Sequence, residues 1–108
     1  MTQRQDRVRE ILKQAAAEYL HTQSSGVSLI TVTDADLTSD LKRITILVTI
    51  YPEEKEKAAL DFLKRKRRDF RIYVKEHTKL KYLPAFDFAI DRGEKHRQRI
   101  DELLQGSQ

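Results

Sequence analysis

A chain of 108 residues, 39% hydrophobic and 35% charged, has enough apolar material for one domain with a single modest core. The absence of cysteine excludes a disulfide staple, a thiolate zinc site and a cysteine nucleophile, and the net charge of +4 inclines the chain toward polyanions. No apolar run approaches the roughly 18 residues of a membrane-spanning helix, and Arg4, Asp6, Arg7 and Glu10 interrupt the apolar core of any secretory signal, so the expected setting is the reducing cytoplasm.

The first expected element is an amphipathic helix over Thr2–Leu20, with Val8, Ile11, Leu12, Ala15, Tyr19 and Leu20 on one face. Thr2 and Gln5 have capping-box spacing at its start. His21–Gly26 is a polar loop punctuated by Ser24, Ser25 and Gly26. Val27–Thr33, rich in β-branched residues, predicts a strand, and Asp34–Leu41 reads as a polar turn. In Ile44–Tyr51 the residues Ile44, Ile46, Val48 and Ile50 alternate with Thr45, Leu47, Thr49 and Tyr51, which predicts a strand with one face packed on helices. The short polar link makes the two strands an antiparallel pair.

Pro52 ends that strand and suits the first position of a helix, and Glu53, Glu54 and Glu56 crowd the turn where the helix dipole favours anions. The helical stretch Glu53–Leu80 carries apolar positions at Ala59, Leu63, Phe70 and Val74, with His77 on the same face. Straight, it would run about 40 Å at 1.5 Å per residue, too long for so small a domain. Its apolar stripe also lapses at Lys64, Arg65, Lys66, Arg67 and Arg68, which no buried face tolerates. A bend between Lys66 and Phe70 is therefore predicted. Leu83-Pro84 breaks the chain again, and alternation predicts a third strand over Ala85–Ile90. Asp91 and Glu94 have capping-box spacing before a last short helix carrying Ile100, Leu103 and Leu104. The expected organisation is one domain over residues 1–104 and a short flexible tail over 105–108. The expected fold class is α+β, a two-layer sandwich in the order α-β-β-α(kinked)-β-α.

Charge is unevenly spread. Lys64–Lys81 holds nine cations (Lys64, Arg65, Lys66, Arg67, Arg68, Arg71, Lys75, Lys79 and Lys81) against two acids, a segment charge of +7 on a body of −3. Such a segment reads as a phosphate-binding ridge, with Lys64–Arg71 as its main part; the competing reading is a solvated helix face. Arg67, Arg71 and Lys75 share a face by four-residue spacing. Lys42 and Arg43, after the hairpin loop, are candidates for a second RNA contact or simple strand flanks. Asp34, Asp36 and Asp40 lack the glycine and distant glutamate of a calcium loop and read as turn formers. His77 is expected to be packed in the core rather than a base. Tyr73, Tyr82, Phe86 and Phe88 are candidates for base stacking, with the phenylalanines assigned to the core by alternation.

In this order and spacing the chain resembles the ribosome-binding factor A family, of KH-like (type II) fold without the usual GXXG loop. The resemblance covers nearly the whole chain. It is carried by Arg7-Val8 with Glu10 and Leu12, and by Ile30-Thr31-Val32-Thr33-Asp34 with Leu41 and the Ile44–Val48 strand. Leu83-Pro84, Phe86–Phe88 with Asp91, and Arg99-Ile100-Asp101-Glu102-Leu103-Leu104 complete it. The family's Asp-Pro-Arg element before the first strand is missing from Thr22–Gly26. Lys66, Arg67 and Arg68 stand where the family kinks its helix at Ala-x-Gly. The resemblance implies a non-enzymatic RNA-binding assembly factor without metal or cofactor, monomeric when free. Such a factor binds the immature 30S subunit and its 16S rRNA, promotes rRNA processing and maturation, and matters most in the cold. Alternatives are a small protein-interaction module, a general KH-like RNA-binding protein with no ribosome role, and a metal-dependent hydrolase using the aspartates.

Overall fold

The computed structural model describes residues 3–23 and 29–93. The elements are α1 (Gln3–Thr22), β1 (Leu29–Leu37), β2 (Arg43–Tyr51), a single 3₁₀ turn (Glu53–Lys55), α2 (Glu56–Arg65), α3 (Arg67–His77) and β3 (Ala85–Ile90). Thr2, Val27 and the expected last helix lie outside the described residues, and so does the proposed tail.

The sheet has the order β1-β2-β3, with β1 antiparallel and β3 parallel to β2. Ile44, Ile46, Val48 and Ile50 are buried, as period-two alternation dictates, together with Phe86 and Phe88 of β3. They form one cluster with Leu12, Ala15, Ala16, Tyr19 and Leu20 of α1, Ala59 and Leu63 of α2, and Phe70 and Val74 of α3. The three helices thus cover one face of the sheet, the two-layer α+β arrangement expected from the element order. None of the described helices is long and apolar enough to cross a membrane.

β1 corrects the sequence reading. The strand does not stop at Thr33 but runs to Leu37, and Asp34–Leu37 is ladder rather than turn. A β-bulge between Val32 and Asp34 inserts one extra residue against Val48 and Leu47. That shifts the alternation by one, so Ala35 and Leu37 join the core while Asp34 and Asp36 take the other face. Beyond the bulge the aspartates are outward strand positions, so their polarity gave a false turn signal.

The long helix bends where the apolar stripe lapses. Lys66 (φ −90°, ψ 4°) separates α2 from α3, and its N–H is shared between the Phe62 and Leu63 carbonyls at 3.1 and 3.0 Å. Arg67 Nε donates to the Lys64 carbonyl at 3.0 Å, satisfying an acceptor at the break. Leu63 and Phe70 on either side are both fully buried. A straight helix could not lay both halves on the sheet and keep five consecutive cations in water. His77 corrects a second expectation. It ends α3 and is exposed, its ring stacked on Tyr73 at 3.9 Å between centroids rather than inserted in the core.

Tyr19 ties α1 to the start of α3. Its ring is buried against Phe70 and Tyr73, and its hydroxyl donates to Asp69 Oδ2 at 2.5 Å. Burial first, then the Asp69 carboxylate, push the Tyr19 hydroxyl pKa far above its ordinary value near 10. A folded-state pKa above the unfolded one means that this contribution to stability is complete below about pH 10 and is lost at higher pH. Tyr19→Phe should therefore lower stability by about 1 kcal/mol at neutral pH. It should also remove part of the alkaline decline in the urea midpoint between neutrality and pH 11. An identical alkaline profile for the variant would show that the bond contributes nothing.

Candidate nucleic-acid interface

Part of the basic set borders the β3 edge of the sheet. The hairpin turn that precedes β2 delivers the first two. Thr38 N–H donates to the Arg43 carbonyl at 2.9 Å, and Arg43 N–H returns to Thr38 Oγ1 at 3.1 Å. Asp40 accepts from the Thr38 hydroxyl at 2.6 Å and the Lys42 N–H at 3.0 Å, bonds that hold its carboxyl below the usual carboxylate range. Lys42 and Arg43 leave this turn with both side chains exposed. Parallel pairing then sets Arg43 opposite Ala85, and the Ala85 N–H donates to the Lys42 carbonyl at 2.8 Å. Lys42 and Arg43 thereby stand beside the 78–84 loop, which carries the exposed Lys79 and Lys81.

The helical cations meet the same edge. Arg71 Nη1 donates to the Pro84 carbonyl at 3.1 Å. Lys64 Nζ and Arg67 Nη1 both reach Asp87 Oδ1 on β3, at 3.3 and 3.5 Å. All three of these side chains are partly in water, so the two ion pairs are weak, of order 0–1 kcal/mol, and give way to a phosphate at little cost. Arg71, held by one nitrogen, keeps its other N–H groups for a ligand. Lys75 continues the flank of Arg67 and Arg71, exposed and without an ion pair among the described residues. Among the described residues Asp87 is the participant that sequence reasoning missed; the parallel placement of β3 beside β2 brings its carboxylate to Lys64 and Arg67.

Arg65 and Arg68 do not join that edge. With Phe62, Lys66, Asp69 and Ile72 they line a separate open groove of about 550 Å³ on the outer side of the bend. The Lys66 ammonium lies 5.6 Å from the centre of the Phe62 ring, a cation–π contact that keeps it at the groove wall. The nine cations of Lys64–Lys81 are therefore divided between two surfaces: the β3 edge and the bend.

The other sequence candidates separate cleanly. Phe86 and Phe88 are core, both against Phe70, at 5.0 and 5.8 Å between ring centres. Tyr73 is engaged by Tyr19 and His77, which leaves Tyr82 as the exposed member of the aromatic set. Asp34 faces Arg9 at 3.9 Å while Asp40 shapes the hairpin turn, and among the described residues no group of three or more His, Asp and Glu side chains converges.

The family model described as ribosome-binding factor A matches residues 4–104. A curated relative of that name from Halothermothrix orenii is 30% identical over 105 residues, covering 94% of this chain and 86% of its own. The crystal structure of ribosome-binding factor A from Thermus thermophilus superposes with a TM-score of 0.73 at 24% identity, over 83% of this chain and 98% of that one, a likeness of fold. A Thermus thermophilus ribosome-binding factor A model, fitted into an electron cryo-microscopy map of its complex with 30S, gives a TM-score of 0.70 at 25% identity. It covers 81% of this chain and 94% of that one.

Proposed function

The chain belongs to the ribosome-binding factor A family, and we propose that it binds the immature 30S subunit through its 16S rRNA and promotes rRNA processing and maturation. It acts in the cytoplasm, as a monomer when free, by occupying RNA rather than by catalysis; the role in the cold that marks the resemblance belongs to the same proposal. One observation of this chain carries the reading. Lys64 and Arg67 meet Asp87 on β3, Arg71 holds the Pro84 carbonyl one turn before the exposed Lys75, and the backbone of Lys42 and Arg43 adjoins the start of β3, where the loop of the exposed Lys79 and Lys81 ends, so cations from four segments of sequence border one sheet edge. Phosphate contacts of this kind fix position and supply salt-dependent affinity. The groove of Arg65, Lys66 and Arg68 supplies a second set of cations around the bend. Support for the target comes from the relative seen with 30S.

Sedimentation with isolated ribosomal subunits tests this. The protein should pellet with 30S subunits, more with precursor than with mature particles, and not with 50S subunits. The pelleted fraction should drop steeply between about 50 mM and 200 mM salt. No pelleting with 30S at the lower salt, or equal pelleting with 50S, would overturn the proposal.

A further inference from the structure

Tyr82 is 86% exposed, and Tyr51 is 74% exposed. The two stand at opposite ends of the sheet: Tyr51 closes β2, whereas Tyr82 precedes β3, whose first residue pairs with the first residue of β2. Their surroundings differ in sign. Tyr51 is followed by the exposed Glu53 and Glu54, with Leu29 as its register partner. Tyr82 lies between the Lys79–Lys81 pair and Arg71, which holds Pro84, with Lys42 on the adjoining strand end.

The loop that carries Tyr82 is tied down on both sides. Thr78 closes α3 through its N–H and hydroxyl, both to the Val74 carbonyl, at 2.9 and 2.8 Å. Leu80 and Leu83 pack against the core, Pro84 is buried, and the Ala85 N–H is bonded to Lys42. The phenol is thus held largely in water by a tethered backbone, next to Lys81 in sequence and two residues before the carbonyl that Arg71 holds. A ring pre-placed in this way loses little entropy on stacking. Every nucleobase offers it a π-face while the lysines and Arg71 take the flanking phosphates.

Resting on the RNA reading above, we propose that Tyr82 is a stacking platform for one unpaired base of the bound RNA, so that the β3 edge selects a single-stranded or bulged segment over a continuous duplex. The chain has no tryptophan, so its own tyrosine fluorescence reports the contact. Titration with a single-stranded oligoadenylate should quench part of that emission, and a fully paired RNA of equal length should quench less. Tyr82→Phe should abolish this share of the quench and keep the affinity, because phenylalanine stacks as well. Tyr82→Ala should weaken binding of the oligonucleotide and of 30S subunits by roughly five- to a hundredfold, with the salt slope unchanged. Tyr51→Ala should bind as the parent does. Equal binding by Tyr82→Ala and the parent overturns the proposal, as does equal loss in the phenylalanine and alanine variants, or in the Tyr51 variant. A parent protein that fails to pellet with 30S subunits overturns the functional reading itself, which separates the two failures.

Discussion

Phe70→Ala should destabilise the fold by about 3–5 kcal/mol, the largest effect expected of any single substitution in the helices. Phe70 is fully buried and touches three aromatic rings, Tyr19 at 5.3 Å, Phe86 at 5.0 Å and Phe88 at 5.8 Å between centroids. It is the residue through which α3, α1 and β3 meet just after the bend. Truncation removes both its transfer free energy and its share of the ring contacts, and the neighbours come from three separate elements that cannot all close on the gap. Domains of this size have about 5–15 kcal/mol in total, so the variant should lose a large part of its urea midpoint. Ile72→Ala, two residues on but half exposed, should stay within about 0.5 kcal/mol. Equal midpoints for these two variants would mean that the helices do not rest on the sheet through Phe70.

The largest effect on binding should come from Arg71, Lys75 and Lys79 together. Each is exposed, and among the described residues Arg71 alone of the three has a hydrogen-bond partner, the Pro84 carbonyl. Exchanging the three for glutamine removes three charges and leaves polar side chains of moderate length. With each phosphate contact contributing a slope of about 0.9 in log affinity against log salt, three lost contacts weaken binding by on the order of a thousandfold near 0.1 M salt, taking RNA to behave as duplex DNA does. Removing Arg67 and Lys64 instead should do less, since Asp87 already offsets part of their charge. The fold should survive, because the substitutions touch no core residue and surface changes stay within about 0.5 kcal/mol each. Affinity unchanged in the triple variant would remove the β3 edge from the account.

How much of this the sequence carries follows from which signals are local. The Ile44–Ile50 alternation is a property of consecutive residues, and the structure buries all four. The bend was equally readable, because five adjacent cations between Leu63 and Phe70 cannot lie under a helix wherever its partners are. The second half of β1 was not. The bulge at Thr33 is set by pairing with β2, and Asp34 and Asp36 look like turn residues until the alternation is reset there. His77 misled for a related reason. Its spacing from Phe70 and Val74 places it on the buried face, but it is the last residue of α3, and its ring finds Tyr73 instead of the core. At the site, the charge run was plain and its division was not. Which cations face Asp87 and Pro84, and which line the groove with Phe62 and Ile72, depends on β3 lying parallel to β2 under α3. Tyr82 stood in the sequence among four candidate aromatics, and burial alone separates it from the others.

The salt dependence of 30S binding tests the central claim most directly when measured for three proteins side by side: the parent, the Arg71, Lys75 and Lys79 triple variant, and a control triple variant at Arg4, Arg7 and Lys13. The control cations lie on α1, which packs toward the β1 side of the sheet, away from β3. The slope of log affinity against log salt should fall by up to about three units in the site variant and hardly change in the control. Equal falls in both variants would contradict that claim, because the β3 edge would then be no site but one part of a diffuse positive field.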